Sequence, residues 1–280
     1  MKKYFFLIIF PLLFLQLSAF ADSGGELIFH FIAVDHGDAI LVEFPAGKSM
    51  LIDGGYPEMG EKVSGYIREL GYSRLDYVLL THSHDDHVGG LFTVLKEFEI
   101  GCIWECPYAE EEEELYIRYN NLVEEKNLMR IYLSRGDSFV IDDVDIEVIN
   151  PPDGQSLKRL GGPNGASVAL KLTYGATSAL LAADIDKKTD NRLVEIYGEE
   201  LRSNLLKCPH HGSGGSNSSE FLSAVAPEIA VISTGPSKYN YPSEKTMARI
   251  RGLVKEVYRT DWDGTIVVIS DGESIWTEGR

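Results

Sequence analysis

The chain has 280 residues, 44% of them hydrophobic and 25% charged, which is ordinary globular chemistry and suits one large α/β domain or two small ones. Its net charge is −17. An acidic surface of that size disfavours general binding to a phosphate backbone, but not phosphodiester cleavage inside a cleft where bound cations dominate the local field.

The first segment reads as an address. Lys2 and Lys3 precede an apolar run from Tyr4 to Leu17, and Ala19-Phe20-Ala21 follows. This charged, apolar, small-residue order is that of a secretory signal peptide. Cleavage after Ala21 would leave Asp22 as the first residue of an exported, periplasmic or secreted, domain over 22–280. The alternative is an uncleaved anchor, since the run is only a little short of the ~20 residues that span a bilayer. Pro11 and the A-x-A ending favour cleavage. No later stretch is apolar enough to span, so no stable membrane insertion is expected once the leader is removed.

Beyond the leader, short apolar runs alternate with turn signals. Leu27–Val34, Ile40–Phe44 and Met50–Ile52 read as strands, the third ending at Asp53-Gly54-Gly55. Glu61–Leu70 has helical periodicity, Tyr77–Leu80 is a buried strand, and Val88–Phe98 a helix. Ile103–Glu105 is a strand. The acidic run Glu110–Glu114 opens a helix toward Leu128 and reads as a solvated face. In the second half Val144–Ile149, Ser167–Thr173 and Ser178–Ala182 are strands and Asn191–Tyr197 a helix. Leu205–Cys208 and Glu228–Ile232 are strands, Ser243–Leu253 a helix, and Ile266–Ile269 with Ser274–Thr277 a hairpin across Asp271-Gly272. Grouped strands interleaved with helices predict two sheets covered on their outer faces by helices. Cys102, Cys106 and Cys208 are too few for a disulfide scaffold and read as small buried hydrophobes, with a Cys102–Cys106 pair as the less favoured alternative.

The chemistry concentrates in His82-Ser83-His84-Asp85-Asp86-His87, which directly follows a buried strand. Three of the seven histidines fall within six residues, too dense for a chance polar turn. Imidazole nitrogen suits zinc and similar ions, and carboxylates suit harder ones. Alternation puts His82 and His84 on one ion and leaves Asp86 and His87 to face another. His210-His211 follows a second strand, and Asp184 ends a third, where its two oxygens can bridge two ions. A pair of ions sharing a hydroxide needs no serine nucleophile.

The run T-H-S-H-D-D-H-V-G-G resembles the H-x-H-x-D-H signature of the metallo-β-lactamase superfamily. The wider pattern is similar to its branch related to the extracytoplasmic hydrolase domain of ComEC/Rec2 competence proteins. Matching pieces occur in family order over most of 26–270: Val34 to Ile40, Leu51-Ile52-Asp53-Gly54-Gly55, Asn164-Gly165-Ala166-Ser167, Ala182-Ala183-Asp184, Lys207 to Ser213, Ile232 to Gly235 and Thr260 to Gly264. The resemblance implies an αββα sandwich of two mixed sheets with metals at one sheet edge. It places His82 and His84 on the first ion, Asp86, His87 and His211 on the second, and Asp184 between them. Asp86 and His210 are the expected catalytic residues, with His210 facing substrate or phosphate and the two adjacent histidines able to exchange roles. Asp53, Asn164, Ser213 and Tyr239 are expected behind the ligands or against substrate, and Asp38 is read as structural.

Two departures stand out. No His lies between His87 and His210, where many superfamily members supply one; Asn164 occupies the corresponding region. Tyr239-Asn240-Tyr241-Pro242 stands where ComEC-like domains commonly show a His. The leading expectation is a hydrolase using two divalent ions, Zn²⁺ first and Mn²⁺ or Fe²⁺ admitted, that cleaves a phosphodiester with a metal-bridging hydroxide. Nucleic acid, a cell-wall phosphodiester and a phosphorylcholine ester are the candidate substrates. A β-lactam, amide or other ester hydrolase is the alternative, which the missing middle His disfavours. A metal-binding protein without turnover is a third.

Overall fold

The computed structural model describes residues 25–110 and 113–279, so the leader expected over 1–21 lies outside the described residues. The first half runs β1 (Leu27–Phe31), β2 (Ile40–Glu43), β3 (Ser49–Ile52), α1 (Gly60–Glu69), β4 (Arg74–Leu80), α2 (Asp85–Val88), α3 (Leu91–Glu97), β5 (Glu99–Glu105), α4 (Glu114–Glu125) and β6 (Arg130–Tyr132). Next come β7 (Ser138–Ile141), β8 (Val144–Asn150), the one-turn helices α5 (Leu157–Leu160) and α6 (Pro163–Ala166), β9 (Ala169–Tyr174) and β10 (Thr177–Leu181). The rest is α7 (Lys187–Tyr197), β11 (Leu205–Lys207), α8 (Ser219–Val225), β12 (Ile229–Ile232), α9 (Glu244–Leu253), β13 (Glu256–Arg259), α10 (Thr260–Asp263), β14 (Ile266–Ser270) and β15 (Ile275–Thr277).

Eight strands form one sheet in the order β15-β14-β1-β2-β3-β4-β5-β6, and seven form the other in the order β13-β12-β11-β10-β9-β8-β7. Both sheets are mixed. In the first, β3 to β6 run parallel; in the second, β10 to β13 do. Parallel neighbours need crossovers, and α1, α3, α4, α7, α8 and α9 supply most of them. After the second sheet is complete the chain returns to the first, where β14 pairs with β1 from Leu27↔Ser270 to Phe31↔Ile266.

Period-two alternation divides the strands between faces. Phe29, Phe31, Met50, Trp104, Leu172 and Val231 meet between the sheets. Leu41, Leu51 and Val78 turn outward to Val63 and Ile67 of α1, Leu91 of α3 and Tyr119 of α4. Leu180, Leu206 and Ala230 turn outward to Leu193 of α7, Phe221 of α8 and Ile250 of α9. The result is the expected αββα sandwich.

Three strands had no clear sequence signal: β6, β7 and β13. Each lies at an outer edge of its sheet, where one flank is unpaired and fewer apolar residues are needed. Glu256-Val257-Tyr258-Arg259 of β13, for example, begins and ends on a charge. All three cysteines are free and buried, and Cys106 Sγ donates to Ala166 O at 3.1 Å.

The helix expected over Val88–Phe98 is divided at Gly89-Gly90. A Cβ on Gly90 would lie 1.9 Å from Gly54 O, so the junction rests directly on the backbone that ends β3. Gly54 N donates to His87 O and Gly90 N to Gly55 O, each at 2.8 Å. This contact clamps the histidine loop to the Asp53 turn. Gly90→Ala is therefore expected to destabilise the protein by about 1–3 kcal/mol through overpacking, read as a lower thermal midpoint. An unchanged midpoint would show that the clamp yields freely.

Candidate metal centre

The carboxyl ends of the parallel strands in both sheets converge on one edge of the sandwich, the usual place for a site in open α/β sheets. Turns leaving those ends carry Asp53, His82, Asp184, His210 and His211, and the β1–β2 loop adds His36 and Asp38. Several turn too sharply for ordinary backbone. Asp35, Asp53, Ala183, His210 and His211 have φ between 44° and 58°, a left-handed region that non-glycine residues rarely adopt.

Asp53 is the hub of the histidine loop. It is fully buried; its Oδ1 accepts Thr81 N at 2.8 Å, and its Oδ2 accepts Thr81 Oγ1 and His87 Nδ1, each at 2.7 Å. Since the Thr81 proton is committed to Asp53, the 3.1 Å contact between Thr81 Oγ1 and His82 Nδ1 is donated by the imidazole. One carboxylate thus sets the tautomers of two histidines and puts the lone pair of each on Nε2; that of His87 is without a hydrogen-bond partner among the described residues, and that of His82 meets His84 Nδ1 at 3.1 Å. The expected role of Asp53 behind the ligands takes this physical form. His211 is set in the same way: its Nδ1 donates to Ser233 O at 3.0 Å.

The free nitrogens face carboxylates. His87 Nε2 lies 3.4 Å from Asp184 Oδ2, and His211 Nε2 lies 3.3 Å from Asp184 Oδ2 and 3.4 Å from Asp86 Oδ2. Neither nitrogen makes a well-formed hydrogen bond although both are buried. Burial is the largest single influence and opposes charge on these imidazoles, but Asp184 together with Asp86 and with Asp38 or Asp53 outweighs it, raising His211 to about 10 and His87 well above its ordinary value. Burial also raises the Asp184 carboxyl, yet His211, His87 and Lys207 together hold it far below the usual range. Cations are strongly favoured at this point, and unpartnered nitrogens aimed at carboxylates are the donor set that a divalent ion takes.

Four sets of three ligand atoms each lie within 4.8 Å: His82, His87 and Asp184; His36, Asp86 and His211; Asp38, Asp53 and His87; and Asp38, Asp184 and His211. Asp38 is already paired with Lys207 and Asp53 with Thr81 and His87, which leaves the first two as the open ligand groups. His87 thus groups with His82 and Asp184, whereas its Nε2 is 4.0 Å from Asp86, the partner expected from sequence. His84 joins neither group; its Nδ1 lies 3.1 Å from His82 Nε2, and its side chain lines the cleft above. The residues fit two cations.

Beneath them lies Lys207, a lysine with no exposed surface. Its Nζ pairs with Asp38 Oδ2, donates to Ala183 O at 2.8 Å and reaches Asp184 Oδ1 at 3.5 Å. Burial alone would depress its pKa, but Asp38 and Asp184 more than compensate and raise it. Asp38, read from the sequence as structural, makes this ion pair and also lies within ligand distance of His87 and His211. Lys207 and His36 are the residues that sequence reasoning passed over. Both stand inside quoted motifs, and the signal available for His36 was a histidine two residues before Asp38 in the turn after a buried strand.

His36 and Asp86 of one group and Asp184 of the other line a cleft of about 480 Å³ together with His210, Asn164 and Tyr239, while His82, His87 and His211 are buried. His210 Nε2 is 3.9 Å from Asp184 and 3.4 Å from Asn164 Nδ2, and burial lowers its pKa. Tyr239 stacks on Tyr241 at 5.6 Å and forms one wall. Ser213 does not line the cleft: its N donates to His210 O at 2.7 Å and its Oγ accepts Gly215 N at 3.1 Å, so it shapes the histidine turn from behind. The acidic run differs from expectation. The helix begins only at Glu114, and Glu110 and Glu113 stand with Asp85 at the cleft.

The sequence profile of the metallo-beta-lactamase superfamily matches residues 32–235. ComE operon protein 3 of Bacillus subtilis (strain 168) is 28% identical over 94% of this chain and 34% of its own length. Competence protein ComA of Neisseria gonorrhoeae is 32% identical over 70% of this chain and 25% of its own length. The chain therefore spans about a third or less of these relatives. Among solved structures, the metallo-beta-lactamase fold protein YhfI from Bacillus subtilis superposes with a TM-score of 0.52 at 12% identity, covering 89% of this chain and 99% of YhfI.

Proposed function

This chain belongs to the metallo-beta-lactamase superfamily, and from that premise we propose that it is an exported hydrolase that uses two divalent ions to cleave a phosphodiester. The observation that carries the reading is the pair of ligand groups that each reach one cleft, through Asp184 and through His36 and Asp86, with Asp184 close to His87 in one group and His211 in the other. Bound divalent ions would offset negative charge on phosphorus-bound oxygens and lower the pKa of water. Zn²⁺ is the first choice, and the His/Asp mixture also admits Mn²⁺ or Fe²⁺.

The chain's own side chains do the rest. Asp53 and Thr81 keep the His82 and His87 lone pairs on Nε2, and Ser233 O does so for His211. His210 and Asn164 stand beside the ligand groups, placed to hold a phosphate oxygen or hand a proton to the leaving group. Asp86 orients the site from its own ligand group. Asp85, Glu110 and Glu113 at the cleft repel a long polyanion, which favours a small phosphodiester over nucleic acid, although relatives named for competence keep a DNA strand worth assaying.

Purified protein should hydrolyse bis-p-nitrophenyl phosphate, lose that activity on chelation and regain it with Zn²⁺ or Mn²⁺. A linear DNA and a chromogenic cephalosporin belong in the same panel. Turnover of the cephalosporin alone would replace a phosphodiester with an amide as the substrate. Bound metal without turnover of any substrate would overturn the enzymatic reading.

A further inference from the structure

We propose that His36 is itself a metal ligand, binding one ion together with Asp86 and His211. This rests on the reading that the cleft holds divalent ions, but it adds a donor from the β1–β2 loop, outside both histidine clusters.

The spacing is the first argument. His36 Nε2 lies 3.4 Å from Asp86 Oδ2, and His211 Nε2 lies 3.4 Å from the same oxygen. Tetrahedral zinc with bonds of ~2.1 Å separates its ligand atoms by about 3.4 Å. That separation is long for a hydrogen bond and right for a shared ion. All three donor atoms lie within 4.8 Å of one another, close enough to share one ion.

The second argument is how the ring is held. His36 is buried, its Nδ1 has no hydrogen-bond partner among the described residues, and its Nε2 approaches Asp86 Oδ2 at 3.4 Å. A buried histidine serving only the fold is normally tied by at least one hydrogen bond. His36 instead packs against His211, with ring centroids 4.4 Å apart, and against Tyr239 and Tyr241.

The third is the backbone. Asp38 N donates to Asp86 O at 3.2 Å, and a Cβ on Gly37 would lie 2.4 Å from that oxygen. The glycine permits the His36 turn to lie flat on the Asp86 turn. The same contact that brings the two loops together points His36 at the carboxylate. The chain, which has no histidine between His87 and His210, thereby gains an imidazole beside His211 from the β1–β2 loop.

Metal-stripped full chain, titrated with Zn²⁺ against a chromophoric chelator, should bind two ions. His36→Gln should keep one site unchanged and weaken the other at least tenfold. His36→Cys supplies a second readout on a variant with a competent ligand: loaded with Co²⁺ it should show a thiolate-to-cobalt charge-transfer absorption absent from the wild type, whose three cysteines are buried elsewhere. Circular dichroism of the stripped proteins reports folding. Two undiminished sites in folded His36→Gln, or a His36→Cys protein that binds Co²⁺ without the absorption, would overturn the role of His36 and leave the two-ion reading standing. A wild type that binds no ion would overturn both.

Discussion

Asp184→Asn is expected to lower phosphodiester turnover by about 10³-fold and to abolish simultaneous binding of two ions. Asp184 Oδ2 is 3.4 Å from His87 Nε2 and 3.3 Å from His211 Nε2, so one oxygen serves both ligand groups. The amide keeps the shape but removes the charge, and its NH₂ end adds donors where only acceptors are useful. Loss of charge stabilisation worth about 4 kcal/mol, in the range a catalytic ion supplies, corresponds to the stated factor. The check is kcat with bis-p-nitrophenyl phosphate beside bound metal per chain. Full activity with one ion would mean that the second is dispensable; full activity with two would remove Asp184 from the centre.

Lys207→Met should be the most damaging change to stability near the site. The substitution preserves volume and deletes the one ammonium that faces Asp38 and Asp184 in a dry environment. Stranding a buried carboxylate typically costs about 3–5 kcal/mol, or roughly 10 °C in melting temperature for a domain of this size. Adding Asp38→Asn should recover part of the loss, because the pair is then removed together. Calorimetry of the metal-stripped single and double variants measures both effects. If the double variant melts no higher than Lys207→Met, the Asp38 pairing is not what Lys207 protects.

The central strands were plain in the sequence because burial on both faces demands apolar runs such as Tyr77–Leu80 and Ile229–Ile232. Edge strands β6, β7 and β13 were not, since their composition answers to solvent as much as to the core. The same division holds for the site. His82, His87, Asp184 and His211 announce themselves as polar residues at the ends of such runs, and they do converge. What the sequence could not reveal is which donors share an ion, since that depends on how the β1–β2 turn meets the histidine turn. His36 and Asp86 are fifty residues apart in the chain and 3.4 Å apart in the fold. Lys207 was hidden for a different reason: a lone lysine at the end of a strand reads as surface until its partners are known.

The return of β14 to β1 has a bearing on how the molecule is assembled. Until the second layer has been synthesised, β1 keeps an open flank of unsatisfied amides beside Phe29 and Phe31, the template that strange chains add to. The two halves are therefore not separable modules that dock after folding. The hairpin works as a latch, and a nascent chain waiting for it would depend on chaperones to stay free of its neighbours.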